Sequence, residues 1–182
     1  MSPSERSEAL SAAFAAMLAL ALERPWRHIS LRDIAAKADL PLATLYGLAD
    51  GKPALLAQLS AFYDLAALAT ANSESEDIHD RLFDATMARV EAMERDREAL
   101  VAISRELPAF ALLPHYPATA RAILESAGVD AGAARLTAMT AVWARVAQVW
   151  RDDSGALNRT MAEIDLRLKS MRRRLGTVGA GF

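Results

Sequence analysis

Three histidines, His28, His79 and His115, and no cysteine make up the chain's stock of soft metal ligands. They lie far apart along the chain, and none has a second ligand at metal-binding spacing, so no metal site is expected. The stretch from Gly47 to Lys52 lacks both the spacing of a phosphate-cradling loop and the hydroxyl residue after its lysine. Glu163 and Asp165 stand two residues apart, which on a helix puts them on different, solvent-facing sides, unable to share acid–base work. Arg172, Arg173 and Arg174 form a basic cluster of the kind that complements a helix carboxyl end and stays solvated. Neither an enzyme active site nor a cofactor is indicated.

The elements that must position whatever chemistry remains are helical. Hydrophobic residues make up 53% of the 182, with Ala and Leu dominant, and both favour helix over strand. Ser2, Pro3 and Glu5 read as a helix start. Leu10, Phe14, Met17 and Ala21 then step by four, three and four, one apolar face of a helix, and Pro25 stops it. Residues 10–22 are too short to span a bilayer, no run of 18 apolar residues follows, and a soluble chain without membrane insertion is expected.

Ser30 and Asp33 match a capping box at the head of a short helix over 31–38 that buries Leu31, Ile34, Ala35 and Ala38. A brief turn at Asp39 and Leu40 leads to a third helix over 41–48. Asp50 and Gly51 break it, and Pro53 suits the first turn of a fourth helix burying Leu55, Leu56, Leu59, Phe62 and Ala66. A polar connector over 72–77 separates this part from the rest. The region 78–98 is helical, with Phe83, Met87 and Val90 on one stripe. Pro108, Pro114 and Pro117 divide the middle, and Gly128 ends a helix begun near 118. Two regular seams follow: Leu136, Met139, Trp143, Val146 and Trp150, then Leu157, Met161, Ile164, Leu168, Met171 and Leu175. Both are heptad-type, and a turn over 152–155 joins them as an antiparallel hairpin. The glycine-rich end, 177–182, reads as a flexible tail.

Two short helices joined by a tight turn and followed by a longer one describe a helix-turn-helix. Residues 30–46, Ser-Leu-Arg-Asp-Ile-Ala-Ala-Lys-Ala-Asp-Leu-Pro-Leu-Ala-Thr-Leu-Tyr, and then Gly51, Lys52, Pro53, Ala54, Leu55 and Leu56, resemble the signature of TetR-family transcriptional regulators. The resemblance implies an all-α fold: a three-helix DNA-binding domain over 1–52 joined to a helical ligand-binding and dimerisation domain over 53–176. It also implies a recognition helix at 41–48 in the major groove, with Thr44, Tyr46 and Lys52 at phosphate-contacting positions. Ser30 and Arg32 stand at the amino end of the preceding helix, where they too can meet a phosphate. Leu42, Ala43 and Gly47 are the groups left to touch bases, for the recognition helix has no Arg, Lys, Asn or Gln.

Charge is even: residues 1–60 hold six Lys/Arg against six Asp/Glu, and the whole chain carries −2 with a pI near 5.9. That excludes a free-standing electrostatic nucleic-acid binder but not a regulator, which needs positive charge only where it meets phosphate. The resemblance carries further expectations: a cytoplasmic homodimer, DNA as partner, and a small apolar ligand between helices of 78–150. Phe83, Met87, Val90 and Met139 would line that ligand's site. Two exposed seams bearing tryptophans would favour dimerisation, with Trp143, Trp150, Met161 and Leu168 at the interface.

A second resemblance points elsewhere. Trp150-Arg-Asp-Asp-Ser154, Thr160-Met161 and Asp165-Leu-Arg-Leu168 are similar to the carboxyl-terminal pattern of lipid-binding ubiquinone-biosynthesis accessory proteins, which share the TetR fold. It implies an alternative: a DNA-incompetent TetR-fold protein that binds a lipid, an apolar metabolite or a partner protein.

Overall fold

The computed structural model describes residues 1–72, 74–108, 111, 113–153, 156–177 and 179. Among them are nine α-helices and no strand, so the all-α expectation holds. The chain divides into two compact units, Met1–Leu59 with Asp96–Pro108, and Ser60–Arg95 with Ala109–Phe182. The sequence reading put a boundary at 52; the packing groups residues up to 59 with the distant segment 96–108.

In the first unit α1 (Pro3–Glu23) opens on Ser2, whose hydroxyl accepts from the Glu5 amide while the Glu5 carboxylate accepts from the Ser2 amide. Phe14, Met17 and Ala21 are buried as the periodicity requires, while Leu10 is only half-buried and Ala9 takes the inner position. After a 3-10 turn that buries Trp26, α2 (Leu31–Lys37) and α3 (Leu42–Leu48) form the helix-turn-helix. Asp39 makes the bend at φ 54°, a left-handed conformation that a short polar side chain tolerates better than an apolar one. Leu31, Ile34, Leu45 and Leu48 close the small core with α1, and Ala38 is half-buried. α6 (Arg97–Glu106) packs Ala99 and Ile103 into the same unit, and Glu106 accepts from the Arg27 backbone and guanidinium.

α4 (Lys52–Leu68) begins in the first unit and ends in the second. Its buried face differs from the expected one. Leu55, Leu59, Tyr63 and Ala67 point inward, Ala66 is half-buried, and Phe62 is 50% exposed with Leu65 and Leu68 beside it at the surface. The helix is apolar on nearly every side, so periodicity could not select the face. By length and composition alone the segment Lys52–Asn72 would suffice to cross a membrane, although Gln58, Ser60 and Asp64 interrupt its apolar residues. One row of it, Leu55, Leu59, Tyr63 and Ala67, is packed and Asp64 is paired with Arg89, while 28% of its most apolar window is buried.

In the second unit α5 (Ile78–Glu94), α7 (Tyr116–Ser126), α8 (Ala133–Asp152) and α9 (Asn158–Thr177) surround a core that includes Leu82, Ile123, Leu124, Met139 and Ile164. α7 starts at Tyr116, two residues earlier than expected, with Pro117 in its first turn, and gives way to Gly128 at φ 72°. α8 and α9 pack on each other as an antiparallel pair. Of the expected turn, Ser154 and Gly155 lie outside the described residues, as do 178 and 180–182 of the tail; Thr177 closes α9. The heptad seams meet inside the unit. Trp143, Trp150 and Leu168 are 2, 4 and 1% exposed, so they cannot form the face that a second copy would touch. Heptad spacing specifies a packed helix pair without saying whether the partner is in the same chain. Of the four expected interface residues only Met161 reaches the surface, at 36%, with Leu166 exposed elsewhere on α9.

Candidate functional site

The helix-turn-helix is fixed from α2. Ser30 caps it, accepting from the Asp33 amide at 3.2 Å, while Asp33 accepts from the Ser30 amide at 2.8 Å and hydroxyl at 2.6 Å. These bonds, with Arg24 at 3.1 Å, hold the Asp33 carboxyl at a pKa of about 2, the Ser30 hydroxyl being the largest cause. The Ser30 side chain is therefore engaged at home. Arg32, in the first turn of α2, is exposed and outside any ion pair among the described residues. On α3 Leu45 and Leu48 point inward and present the opposite side to solvent. Tyr46 is 55% exposed, Ala43 and Gly47 are exposed, and Leu42 and Thr44 are half-exposed. A Cβ placed on Gly47 would meet nothing within 4 Å, so the face is open there.

Lys52 has a different setting. Its Nζ donates to the Trp26 carbonyl at 2.8 Å and lies 4.4 Å from the centroid of the Trp26 ring. Burial lowers its pKa, opposed by Glu106 and Asp33. This lysine braces the start of α4 against the 3-10 turn. Arg24, Arg27 and Lys37 are paired with Asp33, Glu106 and Glu23. Of the six Lys/Arg in residues 1–59, Arg6 and Arg32 remain outside such contacts among the described residues.

In the second unit Met87, Val90 and Met139 lie in the core, while Phe83 is half-buried. The interior there is not uniformly apolar. Arg89, 3% exposed, donates through Nε to Asp64 at 2.6 Å and through Nη2 to the Ser60 hydroxyl at 2.9 Å. Its Nη1 faces the Met93 sulfur at 2.7 Å, and the Trp143 ring covers the guanidinium at 4.1 Å. Trp150 donates its indole N–H to Glu94 at 2.7 Å. Burial raises the Tyr116 pKa, with Arg89 and Arg151 opposing it. The sequence reading missed this centre, although two signals mark it. Leu82, Thr86, Arg89 and Met93 step by four, three and four, which puts an arginine in an inward phase, and Asp64 is the single charge between Lys52 and Glu74. Among the described residues, the Thr119 hydroxyl is the buried side-chain polar atom without a hydrogen-bond partner. Such a group costs about 1–3 kcal/mol.

The residues of the second resemblance have local tasks. Asp153, 6% exposed, accepts from the Thr160 amide at 2.9 Å and hydroxyl at 2.8 Å, which caps the start of α9. Asp165 bonds Lys169 at 2.7 Å and His79 at 3.0 Å, and its pKa is lowered, chiefly by Lys169. Glu163 joins Arg145 and Arg167; burial raises its pKa, and the two guanidinium partners outweigh that.

No family model and no curated protein matches this sequence. A solved structure does resemble the chain: a TetR transcriptional regulator from Rhodococcus sp. RHA1, with a TM-score of 0.68 and 17% sequence identity. The match covers 92% of this chain and 97% of that one, so the chain has the fold of that TetR regulator over nearly its whole length.

Proposed function

We propose that this protein is a TetR-type transcriptional regulator, cytoplasmic and without membrane insertion, that binds operator DNA as a homodimer. A small, largely apolar ligand in the second unit would control it by shifting the recognition helices away from the ~34–36 Å spacing of one DNA turn. The observation that carries this reading is the open outer face of α3, presented by α1 and α2 with Thr44, Tyr46 and Gly47 on it, in a chain with a TetR regulator's fold. Met161 and Leu166 on α9 are the apolar groups available to a second copy. The test is genomic-fragment selection with purified protein at low and moderate salt. A duplex retained at low salt and released as salt rises supports the reading, and Arg32→Ala should then lower the salt slope by about 1.

A second reading is the DNA-incompetent descendant that binds a lipid, an apolar metabolite or a partner protein. The specific observation behind it is the engagement of Lys52 by Trp26, together with a recognition helix bare of base-reading side chains. Absence of salt-sensitive retention of any duplex selects it.

A further inference from the structure

α3 is short enough for every group on its outer face to be counted. Leu45 and Leu48 are buried. At about 3.6 residues per turn, the opposite side is centred on Ala43, Tyr46 and Gly47, with Leu42 and Thr44 at its edges. Exposure follows that order, the central three being exposed and the edge pair half-exposed. The face therefore offers the methyls of Leu42, Ala43 and Thr44, the hydroxyls of Thr44 and Tyr46, the Tyr46 ring and the bare backbone of Gly47.

A base edge in the major groove is read by paired hydrogen bonds or by apolar contact. The first way needs donors and acceptors fixed in place, as on Arg, Asn or Gln, and α3 has none of these. The Thr44 and Tyr46 hydroxyls rotate, and each both donates and accepts, so neither strongly separates one base edge from another. Asp39 and Asp50 stand just before and just after the helix. A carboxylate there can accept only from a cytosine amino group, and it carries the same sign of charge as the phosphates around it. What remains is a set of methyl groups, and thymine alone among the four bases shows a methyl in the major groove. Gly47 suits this mode of contact. It has no Cβ, and nothing lies within 4 Å of where one would be, so the helix can approach closely enough for the Ala43 methyl, one turn earlier, to reach a base.

We infer that α3 recognises its operator through the methyl groups of thymine, touched by Leu42, Ala43 and Thr44, and that sequence preference follows the methyl rather than the base pair that carries it. The cations support the division of labour. Arg6 and Arg32, outside any ion pair among the described residues, can hold phosphate, a contact that is the same for every sequence. This inference rests on the operator-binding part of the proposed function and adds what the protein reads there.

The test uses a duplex that the full-length protein retains from genomic fragments, resynthesised with one thymine at a time replaced by uracil, cytosine or 5-methylcytosine in both half-sites. Uracil keeps thymine's pairing and lacks only its methyl, while 5-methylcytosine carries a methyl at the same place in the groove on the other base pair. At a contacted position, uracil and cytosine should each weaken binding about fourfold per half-site, and so about fifteenfold in all, as the loss of one buried methyl group requires. Substitution by 5-methylcytosine should leave binding close to that of thymine. The salt slope should stay the same throughout, because no phosphate contact is lost. Leu42→Ala should shrink the thymine-over-uracil ratio, and Tyr46→Phe should leave it as it is. Uracil equal to thymine at every position overturns the methyl contact. Binding of 5-methylcytosine as weak as that of cytosine overturns the claim that the methyl decides, and cytosine tighter than thymine gives the reading to Asp39 or Asp50 instead. Each of these outcomes leaves a DNA-binding regulator standing. If no duplex is retained, the regulator reading fails and this inference with it.

Discussion

In the first unit the cations stay at the surface, with Arg24 against Asp33, Arg27 against Glu106 and Lys37 against Glu23, each pair open to solvent on at least one side. In the second unit one guanidinium is taken inside, with Asp64 and Arg89 only 9 and 3% exposed at the side chain. The same chemical pair has different consequences in the two places. Exposed pairs contribute about 0–1 kcal/mol each and weaken with salt. A buried pair adds little net stability as a pair, yet removing one partner leaves a charge with no water and no counter-charge. The first unit therefore uses ion pairs to neutralise the surface around its helix-turn-helix, and the second makes its core depend on one.

The largest expected effect breaks that dependence. Arg89→Met leaves Asp64 buried and unmatched and should cost about 3–5 kcal/mol in urea unfolding, whereas Arg24→Ala at the surface should cost less than about 1 kcal/mol. The double variant Arg89→Met with Asp64→Leu should recover most of the loss, since both charges leave together. A double variant no better than the single would mean that the loss comes from packing around Trp143 instead.

Lys52 stands between the two cases, half-buried, with a carbonyl and an indole ring as partners. Lys52→Met keeps the stem and removes the charge. The hydrogen bond and the cation–π contact together predict a loss of about 1–2 kcal/mol in the same unfolding assay. An unchanged midpoint would free Lys52 from its structural task and return it to the surface cations.

How far the sequence discloses this arrangement depends on how local each feature is. Ser30 and Asp33 are three residues apart, and their reciprocal bonds follow from that spacing alone. Phe14, Met17 and Ala21 are legible from their spacing, although Leu18, Leu20 and Leu22 crowd the end of α1, where Leu20 is buried and Leu22 exposed. α4 is not, since Leu55, Leu56, Leu59, Phe62, Leu65 and Leu68 offer several apolar faces. Its orientation fits the reach of Asp64 to Arg89, 25 residues away, which no window on the helix contains. The seams of α8 and α9 show the same limit: the spacing of Trp143 and Leu168 predicts burial but not the identity of the covering surface. At the candidate interface the exposed residues were legible, but the engagement of Lys52 by Trp26, 26 residues earlier, was not.

A smaller effect tests the open face of α3. Gly47 lies in a helix with free space where a Cβ would go, so Gly47→Ala should stabilise the first unit by about 0.5 kcal/mol. If the face meets DNA, the added methyl should at the same time weaken retention of a selected duplex or change its sequence preference. A gain in stability with unaltered DNA binding would move the contact surface away from Gly47.

The smallest effect concerns Asp33, whose carboxyl sits at about 2 against an ordinary 3.8, the Ser30 hydroxyl being the main cause. The folded pKa lies below the unfolded one, so the stability it lends is fully present above about 3.8 and is lost as pH falls through about 2. Ser30→Ala removes that hydroxyl and lets the folded pKa rise toward the unfolded value. The variant's thermal midpoint should then fall less steeply than the wild type's between pH 4 and pH 2, even though the variant starts lower for want of its cap. Arg24→Ala removes a lesser cause and should flatten the same curve less. The other carboxyls whose pKa the folded protein lowers, Glu163 and Asp165, are common to all three proteins and cancel in the comparison. Parallel curves for wild type and Ser30→Ala would mean that the capping box holds α2 in place without holding the Asp33 proton off.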